Sequence, residues 1–322
     1  MCTTIGFKYI EGQVFGRTLE VGVKLDNKII YVPADTKDFI KAKGMNFPTK
    51  YAAIGSGFFN IASFGDGINE HGLMGSSNLF PGYATFSKHP VIGRLNMTTS
   101  NAFDYLLTRC KDVEEVKERA EKIVLTENGE DEKDVSTAMH FFFMDKTGKG
   151  IVLEPKEGFL IAHDNPYGVL TNSPEFSWHT TNLRNYINIK NENVEDGDFN
   201  GETLLKFGEG SGMLGLPGDF TPPSRFIRSA FFVSHTPKDL ERNSAILQAF
   251  RILGQADIPT GSVIDKASGH ADEALYTSIM DTKEGVYFIK YHDNINLQSF
   301  SLDDYKDEQA IKFIEIEKSM KL

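Results

Sequence analysis

Cysteine is nearly absent: the 322 residues contain two, Cys2 and Cys110. A disulfide framework is therefore excluded, and two lone thiols fit a reducing compartment. No apolar run approaches the roughly 18 residues that a membrane span requires. The opening MCTTIGFKYIEGQVFGR lacks the basic-then-apolar layout of a secretory signal, so the cytoplasm is the expected location. Basic charge is also in deficit, with 34 Lys and Arg against 45 Asp and Glu and a formal net charge of -11. Nucleic acid and anionic membranes normally need a basic face, and neither is an expected partner. The eight histidines show no H-E-x-x-H or other ligand spacing, so no catalytic metal and no cofactor are expected. Gly208, Gly210, Gly212, Gly215 and Gly218 are not followed by the G-K-[ST] of a phosphate loop, and read instead as a mobile loop bordering a substrate.

What is present is a 40% hydrophobic chain with enough apolar material for a large core. CTTIGFKY, QVFGRTLEVGV and KIIYVP are short β-rich runs separated by the turn signals EG and DN. Further strands are predicted at 138–145, 150–154 and 159–162. A late hairpin lies in YTSIMDTKEGVYFIKYHDN, and another strand at 298–302. Helical spacing marks 101–108 and 113–124, and Ser224 is a candidate cap for a helix through RFIRSAFFV. A last helix at 240–253 carries Leu240, Leu247, Phe250 and Leu253 on one side. Loops are expected at 128–134, 191–201 and 208–223. Strand clusters joined mostly by hairpins, with helices between them, point to a layered α+β domain spanning 1–322.

Cys2 follows the initiator Met in a chain where cysteine is scarce, which invites a chemical reading. A free thiol is only ~3% thiolate at pH 7, so amide hydrolysis by cysteine needs a base close by. Removal of Met1 would supply one on the same residue. An α-amine with a pKa of about 7.7–8.0 is neutral in roughly one molecule of seven at pH 7. That is the logic of N-terminal nucleophiles.

The opening MCTTIGFKY…VFGRTLE resembles the choloylglycine hydrolase family of bile salt hydrolases and penicillin V acylases. The likeness continues through FGDGINEHGLMG, GVLTNSPEFSWHTTNLRNY and GSGMLGLPGDFTPPSRFIR to LYTSIMDTKEGVYF, spanning nearly the whole chain. It implies the N-terminal-nucleophile (Ntn) hydrolase fold, a four-layer αββα sandwich of two antiparallel sheets between helical layers, assembled as a homotetramer. It also implies a cysteine amidohydrolase whose partner is a small N-acyl amide.

By the same resemblance Cys2 is the nucleophile, and Arg17 in GRTLE is a cation beside the thiol that favours thiolate. Asn172 in LTNSP is the side-chain donor of the oxyanion hole, and Arg225 in PPSRFIR is an active-site arginine. Two positions depart from the family pattern. Glu20 stands where Asp usually holds the Cys α-amine, and its extra methylene shifts that carboxylate. Leu79 stands where bile salt hydrolases carry Asn and penicillin V acylases Tyr. The oxyanion contact there is a backbone N–H, which Leu supplies equally well. Phe58, Phe59 and Phe64 are candidates for lining the acyl pocket.

GLMG, IVLEP, TNLRNYI and DIPTGS look closer to the penicillin V acylase branch, which is the expected activity, with bile salt hydrolysis as the alternative. Cleavage of N-acyl homoserine lactones is a further option within the same chemistry. A catalytically idle ligand-binding relative is the competing class. The acidic stretch 127–134, if it borders the pocket, would disfavour anionic leaving groups such as taurine. Cys110, on an amphipathic helix, reads as packing.

Overall fold

The structure is a computed structural model that describes residues 1–23, 25–129, 134–266 and 269–320. Strand β1 (Cys2–Lys8) turns back through a tight loop into β2 (Gln13–Val21), where Tyr9 N–H donates to the Gly12 carbonyl at 3.0 Å. Strand β3 (Asn27–Val32) leads to the small hairpin β4 (Ile40–Ala42) and β5 (Met45–Phe47). Then come β6 (Ala53–Phe58), β7 (Asp66–Asn69), β8 (Met74–Leu79) and β9 (Leu95–Met97). Helices α1 (Thr99–Arg109) and α2 (Val113–Ala120) precede β10 (Ile123–Leu125), β11 (Met139–Met144), β12 (Gly150–Lys156), β13 (Phe159–Asp164) and β14 (Val169–Leu170). Helix α3 (Phe176–Asn182) and an exposed hairpin, β15 (Gly197–Phe199) with β16 (Glu202–Leu204), lie before α4 (Pro222–Ser234) and α5 (Arg242–Gly254). Strands β17 (Glu273–Asp281), β18 (Val286–Tyr291), β19 (Asn294–Ser301) and β20 (Lys312–Ile314) follow.

Two large sheets result. One has six strands in the order β14-β1-β2-β17-β18-β19, and the other has ten in the order β20-β3-β6-β7-β8-β11-β12-β13-β10-β9. Helices α4 and α5 cover the first, and α1 and α2 cover the second, giving the αββα sandwich. Among the described residues the paired strands run antiparallel, as expected, except β9 and β10, which run parallel. Strand β11 shows why its sequence, MHFFFM, is nearly continuous in apolar residues: both of its faces are buried. Phe142 packs on Phe15 of β2 with ring centroids 5.0 Å apart, while Phe141 and Phe143 turn the other way onto Phe103 of α1 at 5.5 and 5.3 Å. Among the described residues no helix is long and apolar enough to cross a membrane.

Strands β6, β7 and β8 were not anticipated. Their sequences AIGSGF, DGIN and MGSSNL are rich in Gly and Ser, which lowers strand propensity. The glycines serve close packing: a Cβ on Gly55 would collide with the carbonyl of Asp66 in the neighbouring strand. Helix α2 ends at Ala120, short of the expected residue 124, because Ile123, Val124 and Leu125 are fully buried as a strand beside β9. Helix α4 begins earlier than expected, with Thr221 as N-cap. Ser224 lies in the first turn and donates to Asp219 Oδ2 at 2.6 Å. Helix α5 buries Ala245, Ile246, Ala249, Ile252 and Leu253, whereas Leu247 is exposed and Leu240 precedes the helix.

Candidate active site

The register of β1 on β2 fixes which side chains share a face. Cys2 lies opposite Leu19 and Thr4 opposite Arg17, so these four project together towards the ten-stranded sheet. Thr3, Thr18 and Glu20 project the other way, towards α4. On the inner side Cys2, Arg17 and Leu19 line a cavity of about 600 Å³. Val21, Val23, Leu25, Phe58, Phe59, Ile61 and Phe64 make its walls predominantly apolar. All three expected pocket phenylalanines are therefore brought to the same cavity as Cys2. Asp134 also borders it, whereas residues 130–133 of the acidic stretch lie outside the described residues. The glycine-rich segment 208–218 contributes no lining residue to this cavity. Cys110 is buried against α2, away from it.

Arg17 is 2% exposed and tightly held. Its Nη1 donates to the carbonyls of Ser77 at 2.6 Å and Gly65 at 3.0 Å. Its Nε lies 3.1 Å from Asp66 Oδ2 but off the N–H axis, so charge rather than a hydrogen bond holds that pair. Burial works against the guanidinium, yet the fields of Tyr276, Asp66 and Cys2 keep its pKa above the usual arginine value. Asp66, which has no role in the sequence reading, accepts from Tyr276 Oη at 2.6 Å, Tyr287 Oη at 2.5 Å and Ser278 Oγ at 3.2 Å. A buried charge pair needs its remaining lone pairs satisfied, and the two tyrosines do this.

Asn172, Arg225 and Cys2 form one network. The Cys2 N–H donates to Asn172 Oδ1 at 2.9 Å. Arg225 Nη2 donates to that same oxygen at 2.7 Å, and its Nη1 donates to the Cys2 carbonyl and to Thr3 Oγ1, both at 2.6 Å. Arg225 thus grips the backbone of the N-terminal strand and the Asn172 amide. Its hydrogen bonds go to that framework and to the Phe220 carbonyl, at 2.9 Å. Burial pulls its pKa below the usual value, opposed by Glu20, Cys2 and Asp219. The Asn172 amide nitrogen donates to the Leu79 carbonyl at 2.7 Å. Leu79 N–H is oriented by strand alternation. Phe80 N–H donates to Ala138 on the β11 side, and Ser77 N–H to Gly65 on the other side. Leu79 N–H therefore shares the Ser77 side, just beyond the point where β7 has ended.

Two histidines brace this arrangement and were not anticipated. His179 is fully buried, stacks on Phe226 with ring centroids 4.7 Å apart and donates from Nε2 to the Asn172 carbonyl at 2.9 Å. Burial pushes its pKa down to about 4, so it is neutral near pH 7. His140 bridges Glu154 Oε1, at 3.3 Å, and the Thr171 carbonyl, at 3.1 Å. Glu154 also accepts the Phe176 N–H at 2.8 Å. Burial opposes its charge, but the bonds from His140, His163 and Phe176 hold its pKa at about 2.

Glu20 occupies the α4 side of β2. With Met1 in place, the Met1 amine donates to the Glu20 carbonyl rather than to its carboxylate, and Glu20 N–H returns a bond to Met1 at 2.9 Å. Thr18 donates to Glu20 Oε1, while the buried Oε2 has no partner among the described residues. The expected contact of the carboxylate with a Cys2 amine is thus not made while Met1 is attached.

A model of the choloylglycine hydrolase family, the linear amide C–N hydrolases, matches residues 2–309. The chain belongs to this family. As a member it is a hydrolase of linear amide C–N bonds. It is 32% identical to the bile salt hydrolase/transferase of Clostridium perfringens, over 100% of this chain and 99% of that protein. It is 30% identical to the conjugated bile acid hydrolase of Lactobacillus acidophilus, over 95% of this chain and 97% of that protein. A crystal structure of the C. perfringens conjugated bile acid hydrolase superposes with a TM-score of 0.92 at 31% identity, covering 100% and 99% of the two chains. The penicillin V acylase of Agrobacterium tumefaciens shares the Ntn-hydrolase fold, with a TM-score of 0.77 at 19% identity over 97% and 90%.

Proposed function

We propose that the chain, as one catalytic domain freed of Met1, hydrolyses the amide of a conjugated bile acid through an acyl-enzyme on Cys2. The observation that carries this proposal is the placement of Cys2. Its side chain faces an apolar cavity of about 600 Å³, while its nitrogen is held by Asn172 Oδ1 on a frame braced by Arg225. A cavity of that size falls in the range that buries a drug-sized ligand, and its walls suit a rigid apolar acyl group. The likeness to bile salt hydrolases along the full chain favours this substrate over penicillin V, which the four short stretches had suggested. The acylase shares the fold at 19% identity.

Loss of Met1 converts the Cys2 peptide nitrogen into an α-amine. That amine takes the thiol proton, and the thiolate, with Arg17 beside it, attacks the carbonyl carbon. The developing oxyanion is met by the outward N–H of Leu79 and an N–H of the Asn172 amide. The resulting ammonium then protonates the departing amine, and water attacks the thioester with the α-amine again as base. Glu20 Oε2, buried and without a partner among the described residues, is the acceptor waiting for the charged form of that amine. This explains how Glu fills the position where the family uses Asp: Thr18 holds one carboxylate oxygen and leaves the other free.

Parallel assays of Met1-processed protein with glycocholate, taurocholate and penicillin V, with Cys2→Ala as control, test this function. Release of glycine or taurine is the expected result. Preferred release of phenoxyacetate would restore the acylase reading, and no turnover of any of the three would favour a binding protein.

A further inference from the structure

We propose that Asp104 is a positioning residue that fixes one wall of the acyl cavity to helix α1 and so sets how tightly large acyl groups bind. The proposal rests on the cavity being the acyl pocket.

The wall in question is the connection between β6 and β7, residues 59–65, which contributes Phe59, Ile61, Ser63, Phe64 and Gly65 to the cavity. Its internal hydrogen bonds are local: Ile61 N–H to the Phe58 carbonyl at 3.0 Å and Ser63 N–H to the Ile61 carbonyl at 2.9 Å. Phe59 and Asn60 both sit in the left-handed region, with φ of 56° and 54°, which is unfavourable for residues with a Cβ. The segment therefore needs outside anchors.

Its two ends are tied by Phe59 N–H to the Asp26 carbonyl and Gly65 N–H to the Ser56 carbonyl, both at 2.7 Å, and two adjoining residues add side-chain anchors. Phe64 N–H donates to Asp104 Oδ1 on α1 at 2.9 Å. One residue on, the Gly65 carbonyl accepts from Arg17 Nη1 at 3.0 Å and from Ser77 N and Oγ at 2.9 and 3.0 Å. The wall is thus tied to a helix on one side and to the cation beside Cys2 on the other. A shift of the wall would be felt by the acyl group, while Arg17 keeps its hold on Ser77 and Asp66.

Asp104 is 3% exposed, and its protonation is set by burial and by hydrogen bonds from Phe64 N–H and the Ser63 hydroxyl. The elements packed against α1 carry Lys41 on β4, Asp66 on β7, and Glu115 and Arg119 on α2, but none of these governs it. Burial raises the carboxyl to about 7 against the two donors. The ionised form accepts from both donors through charge-assisted bonds, roughly twice the strength of neutral ones. Protonation turns one acceptor oxygen into a donor and slackens the hold on the wall. The stability sign is opposite. With a folded pKa of about 7 against an ordinary 3.8, the folded state keeps its proton through that interval, and stability falls as pH rises across it.

The test compares wild type, Asp104→Asn and Ser63→Ala with glycocholate as probe. Asp104→Asn is expected to raise KM at pH 8 by about five-fold with kcat within about two-fold, while Tm at pH 8 rises by a few degrees. Wild-type KM should climb as pH falls from about 8 to 6, and the Asn variant should not follow. Ser63→Ala, which removes a donor to the carboxylate, should move that midpoint upward. Hydrogen exchange at the Phe64 amide, which needs no turnover, should quicken by about ten-fold in Asp104→Asn. Unchanged KM with unchanged exchange overturns the proposal, as does a joint fall of kcat, affinity and Tm, the signature of a merely structural residue. If wild type turns over no glycocholate, the reading of the cavity fails, and exchange at Phe64 alone still decides the role of Asp104.

Discussion

Arg225 donates from Nη2 to Asn172 Oδ1 at 2.7 Å, and that same oxygen accepts the Cys2 N–H at 2.9 Å. The shared acceptor fixes the amide orientation, because Oδ1 must face these two donors while the nitrogen faces the Leu79 carbonyl. Asn172→Ala should lower kcat by about 10²–10³, the usual effect of losing an oxyanion donor. Arg225→Lys should lower it by about ten-fold or more, since an ammonium cannot span Cys2, Thr3 and Asn172 with a planar fork. Steady-state kinetics with the hydrolysed conjugate checks both.

Asp66 is the counter-charge of a buried arginine. Asp66→Asn keeps the volume and removes the charge, leaving the Arg17 guanidinium uncompensated. Breaking a buried pair from one side costs about 3–5 kcal/mol, so a clear loss of stability in urea unfolding is expected. A change under about 1 kcal/mol would mean that the carbonyls of Gly65 and Ser77 alone are enough to hold Arg17.

Glu154 and His179 both make the fold acid-sensitive. Glu154 has a folded pKa of about 2 against 4.5, so its contribution is complete above pH 4.5 and is lost as pH falls towards 2. His179 has a folded pKa of about 4 against 6.5, so the unfolded chain binds its proton first and stability drops between pH 6.5 and 4. His179→Gln, which keeps a donor for the Asn172 carbonyl, should flatten the loss in that upper window by about 2–3 kcal/mol. Thermal scans across pH 4 to 7 measure it.

Glu20→Gln retains size and hydrogen bonding but cannot balance the charge of an α-ammonium. With Met1 removal verified by mass, kcat should fall by about ten-fold or more. Retained activity would remove Glu20 from the mechanism.

Much of the fold was readable because its clues are local. The opening hairpin, β11 to β13 and the β17–β18 hairpin each carry their own turn and pattern, and the Cys2–Arg17–Leu19 face follows from strand alternation once β1 pairs with β2. The hidden parts depend on distant contacts. Asp66 meets Tyr276 and Tyr287, and Asp104 meets Phe64 from another element, so neither carboxylate betrays its partner in a linear sequence. The Gly- and Ser-rich strands β6 to β8 lack strand propensity because close packing selects small residues there. His179 sits in a block that resembled the family, yet only the folded chain shows it reaching back to Asn172.

The most direct test of the account is rapid-quench mass analysis of Met1-processed protein mixed with glycocholate. A transient adduct of the acyl mass on the N-terminal peptide, absent from Cys2→Ala, is the predicted result. Turnover by Cys2→Ala, or an adduct on any other peptide, would contradict the assignment of Cys2 as the nucleophile.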